Sequence, residues 1–223
     1  MSKSKVTFVV EHLDPELGPW SALEYKAIAE ESKQAGCDFI LSSVPESLLQ
    51  SSELQSLGAN AMAESIEAYF ADRKERVCLL DPQGQQELSP FDANHFDVFL
   101  FGGILGDDPP RDRTSELRKK GFQGRRLGPK QMTTDTAVRV TRLVVVDQMP
   151  LHQIPYADFP ELRLGEHEST EMPFRYVVGK DGKPVMPAGM LELIKADADK
   201  SLDGLEFADE DDGAIDDLIV EID

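Results

Sequence analysis

The chain has 223 residues, 40% hydrophobic and 29% charged, a balance ordinary for a soluble globular protein of one generous domain or a domain with a small appendage. No apolar run approaches the roughly 20 residues a membrane-spanning helix needs. The net charge of −19 is uneven: residues 197–223 carry twelve acids against one lysine, and both this tail (−11) and the body (−8) would repel a phosphate backbone. With two cysteines, Cys37 and Cys78, the sequence argues against a disulfide framework and lacks CxxC metal spacing, so a reduced, cytoplasmic setting is expected.

Taken in order, the segments alternate between strand and helix signals, which predicts an α/β domain with a mostly parallel sheet covered on both faces. Residues 5–11 read as a first strand; the apolar run Val6 to Val10 meets Glu11 and His12 too soon for a signal peptide. Pro19 opens a helix that ends near Gly36, with Trp20, Leu23, Ala27 and Ile28 on its apolar face. DFILSS (38–43) is a second strand, Pro45 to Gly58 a helix, and Ala61 to Arg73 a further helical stretch. RVCLLD (76–81) and FDVFLF (96–101) are strands rich in apolar residues. Pro109 and Pro110 suit the first turn of a helix reaching Lys120, and residues 122–127 form a short strand. Thr133 and Thr134 are natural caps for a helix from Asp135, whose end at LVVVD (143–147) reads equally as helix or strand. Beyond Met149 the chain is irregular and Pro-rich, with a hairpin turning at Asp181-Gly182 and a short helix over 190–197. The expected organisation is a sheet domain over 1–149, a small extension over 150–196 packed on it, and an acidic tail over 197–223. That tail reads either as a solvated end or as a docking surface for a basic protein.

Two strand-like runs each empty into a glycine-bearing loop that leads to a helix, which is where open α/β sheets place ligands. The first loop, Gly102, Gly103, Ile104, Leu105, Gly106 and Asp107, has glycines spaced GGxxG. It matches neither GxGxxG nor a P-loop, and by itself reads equally as a tight turn or a site. The second, RRLGPKQMTTDTAV (125–138), carries a long excursion rich in hydrogen-bonding groups and is preferred as a second ligand loop. EHLDPELGPW (11–20) follows the first strand. There a single histidine is more often structural, and Trp20 more often core, than functional.

At FGGILGD-x-PPRDRT, RRLG-x-KQMTTDTA and TEMPFRY, with EH near the start, VCLLDP and KPVMPAGML, the sequence resembles the fungal SPOUT-type protein arginine methyltransferases. The resemblance extends to about residue 205. It implies a SPOUT sheet domain with a C-terminal trefoil knot, residues 135–147 forming the knotted helix. It implies S-adenosylmethionine as cofactor, held by Leu80 and Asp81, by Gly102 through Asp107, and by Arg126, Leu127, Gly128, Gln131, Met132, Thr133 and Thr134. It implies a monomer that modifies an arginine of a basic small-subunit ribosomal protein, with the C-terminal extension as platform. Arginine is protonated at any ordinary pH, so a carboxylate that holds the guanidinium and takes its proton is the chemistry to look for. Glu11, Asp107 and Glu171 are the candidates, with His12 and Trp20 as pocket wall for the substrate. An RNA methyltransferase and a non-catalytic binding module for basic ribosomal partners are the alternatives; the acidic charge speaks against the first.

Overall fold

The computed structural model describes residues 5–102, 114–165 and 169–206. The chain opens with strand β1 (Thr7–Glu11), helix α1 (Pro19–Gln34) and strand β2 (Asp38–Ser42). Short helices α2 (Glu46–Leu49) and α3 (Ser52–Ser56), strand β3 (Asn60–Ala61) and helix α4 (Ile66–Tyr69) follow. Strands β4 (Val77–Leu80) and β5 (Val98–Phe101), helix α5 (Thr114–Lys119), strand β6 (Gln123–Arg125) and helix α6 (Thr134–Val145) complete the sheet domain. The C-terminal part adds β7 (Tyr156–Asp158), β8 (Glu161–Arg163), β9 (Ser169–Glu171), β10 (Arg175–Val177) and helix α7 (Met190–Glu206).

Six strands form one parallel sheet in the order β3-β2-β1-β5-β4-β6. Every residue of β4 and β5 is buried, as expected of strands covered on both faces. Alternation sorts the side chains. Phe8, Val10, Cys78, Leu80, Phe99 and Phe101 pack with Tyr25 and Ile28 of α1 and Val138, Val140 and Val144 of α6. Val9, Leu79, Val98 and Leu100 pack on the opposite face with Ile66 of α4 and Leu117 of α5. Each fully buried aliphatic or aromatic side chain contributes about 1.5–3 kcal/mol by leaving water. The parallel sheet with helices on both faces is thus as the sequence predicts.

The differences are local. The stretch expected as one helix from Pro45 to Gly58 is broken at Gln50, where Ser51 caps α3 through Leu54 N at 3.2 Å. A two-residue edge strand, β3, precedes α4 where only helix was expected, because Met62 N donates to Leu41 O and continues the ladder. The ambiguous 143–147 run is helical to Val145: Val144 and Val145 fall on the buried face of α6. Helix α7 runs to Glu206, well past the residue 197 at which the acidic tail was expected to begin, because the sequence from 190 onward holds neither proline nor glycine until Gly204. The C-terminal part is built from two small antiparallel sheets, β7–β10 and β8–β9, whose pairings the sequence does not show. The turn at Asp181-Gly182 is present, with Gly179 N donating to Lys183 O at 2.8 Å.

Candidate active site

Sheet topology places the crevice. From β1 the chain moves to β2 on one side; from β5, the neighbour of β1, it moves toward β6 on the other. The carboxyl ends of β1 and β5, where Val10 aligns with Phe101, therefore flank the switch point at which open α/β sheets bind ligands.

Glu11 and His12 leave β1 at this point, and both are buried. The Glu11 carboxylate accepts hydrogen bonds from Ser42 Oγ at 2.5 Å, Ser43 Oγ at 2.8 Å and the backbone N of Ile66 at 3.3 Å. It thereby pins the ends of β1 and β2 to the start of α4. Ser43 holds a left-handed φ of +56°, a strained conformation for a non-glycine residue that the bond to Glu11 helps to maintain. His12 Nδ1 lies 3.0 Å from Tyr25 Oη of α1, with the two rings edge to face. Gly102, directly after β5, is buried. Gly103, Ile104, Leu105, Gly106 and Asp107 lie outside the described residues.

At the ends of β4 and β6 the loops interlock. Leu80 is in the core, and Asp81 N donates to Arg125 O across the ladder at 2.8 Å. The buried Asp81 carboxylate receives Arg118 Nε at 2.5 Å and Arg118 Nη2 at 2.7 Å, with Thr114 Oγ1 at 3.3 Å and Gln83 N at 2.9 Å. Burial acts to raise its pKa, but these donors, Arg118 foremost, outweigh it and hold the group below the ordinary carboxylate value. The turn from Asp81 to Gly84 lies against β6 so closely that a Cβ on Gly84 would meet Arg125 C at 2.9 Å and Arg126 N at 3.0 Å. Arg126 is clasped on both sides of its backbone, its N donating to Gln86 O and its O accepting from Leu88 N, both at 2.9 Å.

The second loop carries the most unusual chemistry. Leu127 packs partly into the core, and Gly128 turns the chain with φ +100° beside the Arg175 guanidinium. Gln131 O accepts from Arg175 N at 2.8 Å, and Met132 bridges to the same residue, so this loop is fastened to β10. Arg175 in turn pairs with Asp158 at 2.5 and 2.9 Å and lies over the Tyr156 ring. Thr133 is the N-cap residue of α6 as predicted, but its hydroxyl serves the side chains of Asp135 (2.7 Å) and Thr136 (2.8 Å). The capping acceptor is instead Glu24 of α1, whose Oε1 takes Thr134 N at 2.9 Å. Asp135 is salt-bridged to Arg139 at 3.1 Å, and Arg139 reaches Glu31 at 2.5 Å. Burial first, and then the neighbouring Asp135 carboxylate, push the Glu24 carboxyl well above its ordinary pKa. Tyr176 of β10 faces the same two acids, and burial together with their charge raises its phenol.

Five buried polar atoms of this region have no hydrogen-bond partner among the described residues: Trp20 Nε1, Glu24 Oε2, Gln131 Nε2, Thr134 Oγ1 and Tyr176 Oη. Orphaned groups are rare inside proteins; these five, on the second loop, α1 and β10, are open to a ligand or an ordered water as partner. Gln131 and Thr134, expected as cofactor residues, are among them. Trp20 is half-buried and packs with Leu162, Met172, Phe174 and Tyr176, joining α1 to the C-terminal part. Glu171 stands exposed on β9 opposite Glu161, in a sheet separate from the one that carries Glu11. Glu24, Tyr176, Gly84, Arg118 and Arg175 went unseen in the sequence. Only Glu24 left a signal there: an acid one turn after Trp20 and between Leu23 and Ala27, on the apolar face of its helix.

The fold is that of an α/β domain with a parallel sheet, and its candidate site lies at strand-end loops and a helix N-terminus rather than at a nucleotide motif. The comparisons with known proteins narrow this. The chain belongs to the SFM1-like protein arginine N-methyltransferase family, whose model matches residues 7–201. It is 45% identical over 212 residues to the protein arginine N-methyltransferase SFM1 of Saccharomyces cerevisiae, spanning 89% of this chain and 98% of that one. The crystal structure of the yeast arginine methyltransferase SFM1 complexed with SAM superposes with a TM-score of 0.80 at 44% identity, covering 88% of this chain and 92% of that chain. The complex of the same yeast enzyme with SAH gives 0.77 at 44% identity, over 84% and 94%.

Proposed function

We propose that this protein transfers a methyl group from S-adenosylmethionine to an arginine side chain of a basic protein of the small ribosomal subunit, acting as a cytoplasmic monomer. The observation that carries the reading is the second loop: within a family-wide match, Gln131 and Thr134 present unsatisfied buried polar groups beside Gly128 and one residue from a buried acid pair. These residues fit the cofactor. Gln131 and Thr134 would bind its polar groups, and Gly102 and Gly128 would let backbone approach it closely. When bound, the cofactor supplies an electrophilic methyl on a sulfonium; the chain's own task is positioning and proton management.

Both reactants are cationic: as the N–CH3 bond forms and the C–S bond breaks, one positive charge remains on the methylated guanidinium and one proton must leave. An acidic environment stabilises reactants of that charge, and the chain's −19 favours a basic protein over a nucleic acid as target. The trefoil knot belongs to the same reading; its support is that α6, after leaving the edge strand β6, packs back across β5 and α1. The test is incubation with labelled cofactor and recombinant small-subunit ribosomal proteins. One protein should acquire label at an arginine, and lose it when that arginine becomes lysine. Absence of transfer to every ribosomal protein overturns the proposal.

A further inference from the structure

Resting on that reading, we propose that Glu24, with Asp135 and Tyr176, forms the receptor for the target guanidinium, and that Glu24 accepts the proton released on methyl transfer. Capping occupies only part of this carboxyl. Glu24 Oε1 takes the backbone N of Thr134 at 2.9 Å, while Oε2, in a wholly buried side chain, has only the backbone N–H and carboxyl of Asp135 near it and no well-formed hydrogen bond among the described residues. Beside it stand the Asp135 carboxylate and Tyr176 Oη, the latter also buried and without a partner.

The group is rich in acceptors and short of cations. The buried arginine of α6, Arg139, is spent on Asp135 and Glu31. A guanidinium, a planar cation with five donors and no acceptor, is the chemistry that completes such a set. Aromatic side chains are at hand: Trp20, half-buried and one helical turn before Glu24 (about 5.4 Å along the axis), packs against the cluster that holds Tyr176 and Phe174. Planar guanidinium groups stack on such faces.

The raised pKa of Glu24 suits the task. An incoming guanidinium shifts the carboxyl to its ionised form, and its proton leaves to solvent. When the guanidinium nitrogen bonds to the methyl carbon and the C–S bond breaks, the electron pair of C–S goes to sulfur. The surplus N–H proton passes to Glu24 and the product remains a monocation.

Glu24→Gln keeps an oxygen for Thr134 N and removes the base. The chain has one tryptophan, Trp20, so its fluorescence reports on the receptor without turnover. With SAH-saturated protein and ethylguanidinium as probe, the wild type should show a saturable change that weakens at least tenfold in Glu24→Gln. Tyr176→Phe, which deletes a hydroxyl with no partner, should weaken it severalfold with unchanged melting temperature. Methyl transfer by Glu24→Gln should fall by about 100-fold, with SAH affinity within about twofold of wild type. Equal probe binding in wild type and Glu24→Gln, or no saturable binding by the wild type, overturns the receptor. Glu24-dependent probe binding by a protein that transfers no methyl to arginine would instead retire the methyltransferase reading and leave the receptor standing.

Discussion

Single residues decide how the strand ends are held. Asp81 has a depressed pKa in the fold, so its contribution is present above its unfolded value (about 3.9) and is lost as pH falls through the lower folded value. Asp81→Asn should therefore lower stability at pH 7 by about 1–3 kcal/mol, and urea titrations should show the gap to wild type closing below about pH 4. Glu24 has the opposite sign. Its pKa is raised, so its contribution is present below its unfolded value (about 4.3) and is lost as pH rises through the folded one. Asp135 of α6 and Tyr176 of β10 face it, and Arg139, which pairs with Asp135 and Glu31, keeps its charge throughout. Thermal melts should show Glu24→Gln gaining on wild type as pH rises above about 5. Gly84→Ala tests the close approach of the 81–84 turn to β6. The obstructing atoms are backbone atoms that cannot swing aside, so a loss of about 1–3 kcal/mol and weaker SAH binding should appear together in denaturation and calorimetry.

At the level of elements, the structure hangs on the contact of α1 with α6. Their apolar faces meet through Tyr25, Ile28, Val138, Val140 and Val144, and Arg139 clamps the pair by bonding Glu31 on one helix and Asp135 on the other. Removing the cation while the buried Asp135 carboxylate remains is more damaging than losing the pair whole. Arg139→Met should cost about 3–5 kcal/mol in equilibrium unfolding and should loosen SAH binding, since α6 begins at the second loop. The α1, α6, β1, β2, β4 and β5 segments were legible because each is long or apolar enough for periodicity to speak. The strands β3 and β7 to β9 were not: two or three residues carry no period, and their existence depends on partners distant in the chain; of β10 the hairpin through Asp181-Gly182 was legible, but not its pairing with β7. The split between α2 and α3 was missed for a related reason, since a cap at Ser51 outcompeted continuation of a polar helix.

At the level of the whole molecule, the sequence pointed to a site without its chemistry. Glycine-bearing loops after two strands suggested its place, the first of them lying outside the described residues beyond Gly102, and the resemblance supplied the cofactor. The acids were harder to place. Glu11 stood out at a strand end, yet in the fold its oxygens are bound by Ser42, Ser43 and the N-terminus of α4. Glu24 is buried in mid-helix, and its importance arises only when α6 docks its N-terminus against α1. The acidic C-terminus acts over the whole molecule. Residues 207–223 contain eight acids and no basic residue, so deleting them should slow association with a basic ribosomal protein, most at low salt, while leaving SAH affinity unchanged. Stopped-flow association at two ionic strengths checks this.

The most direct test offers protein and RNA together. Intact small ribosomal subunits from a strain lacking this protein are incubated with it and with methyl-labelled S-adenosylmethionine, then separated into protein and RNA and hydrolysed. All of the label should be recovered as methylarginine in a single ribosomal protein. Label in the RNA fraction, or in neither, would contradict the account.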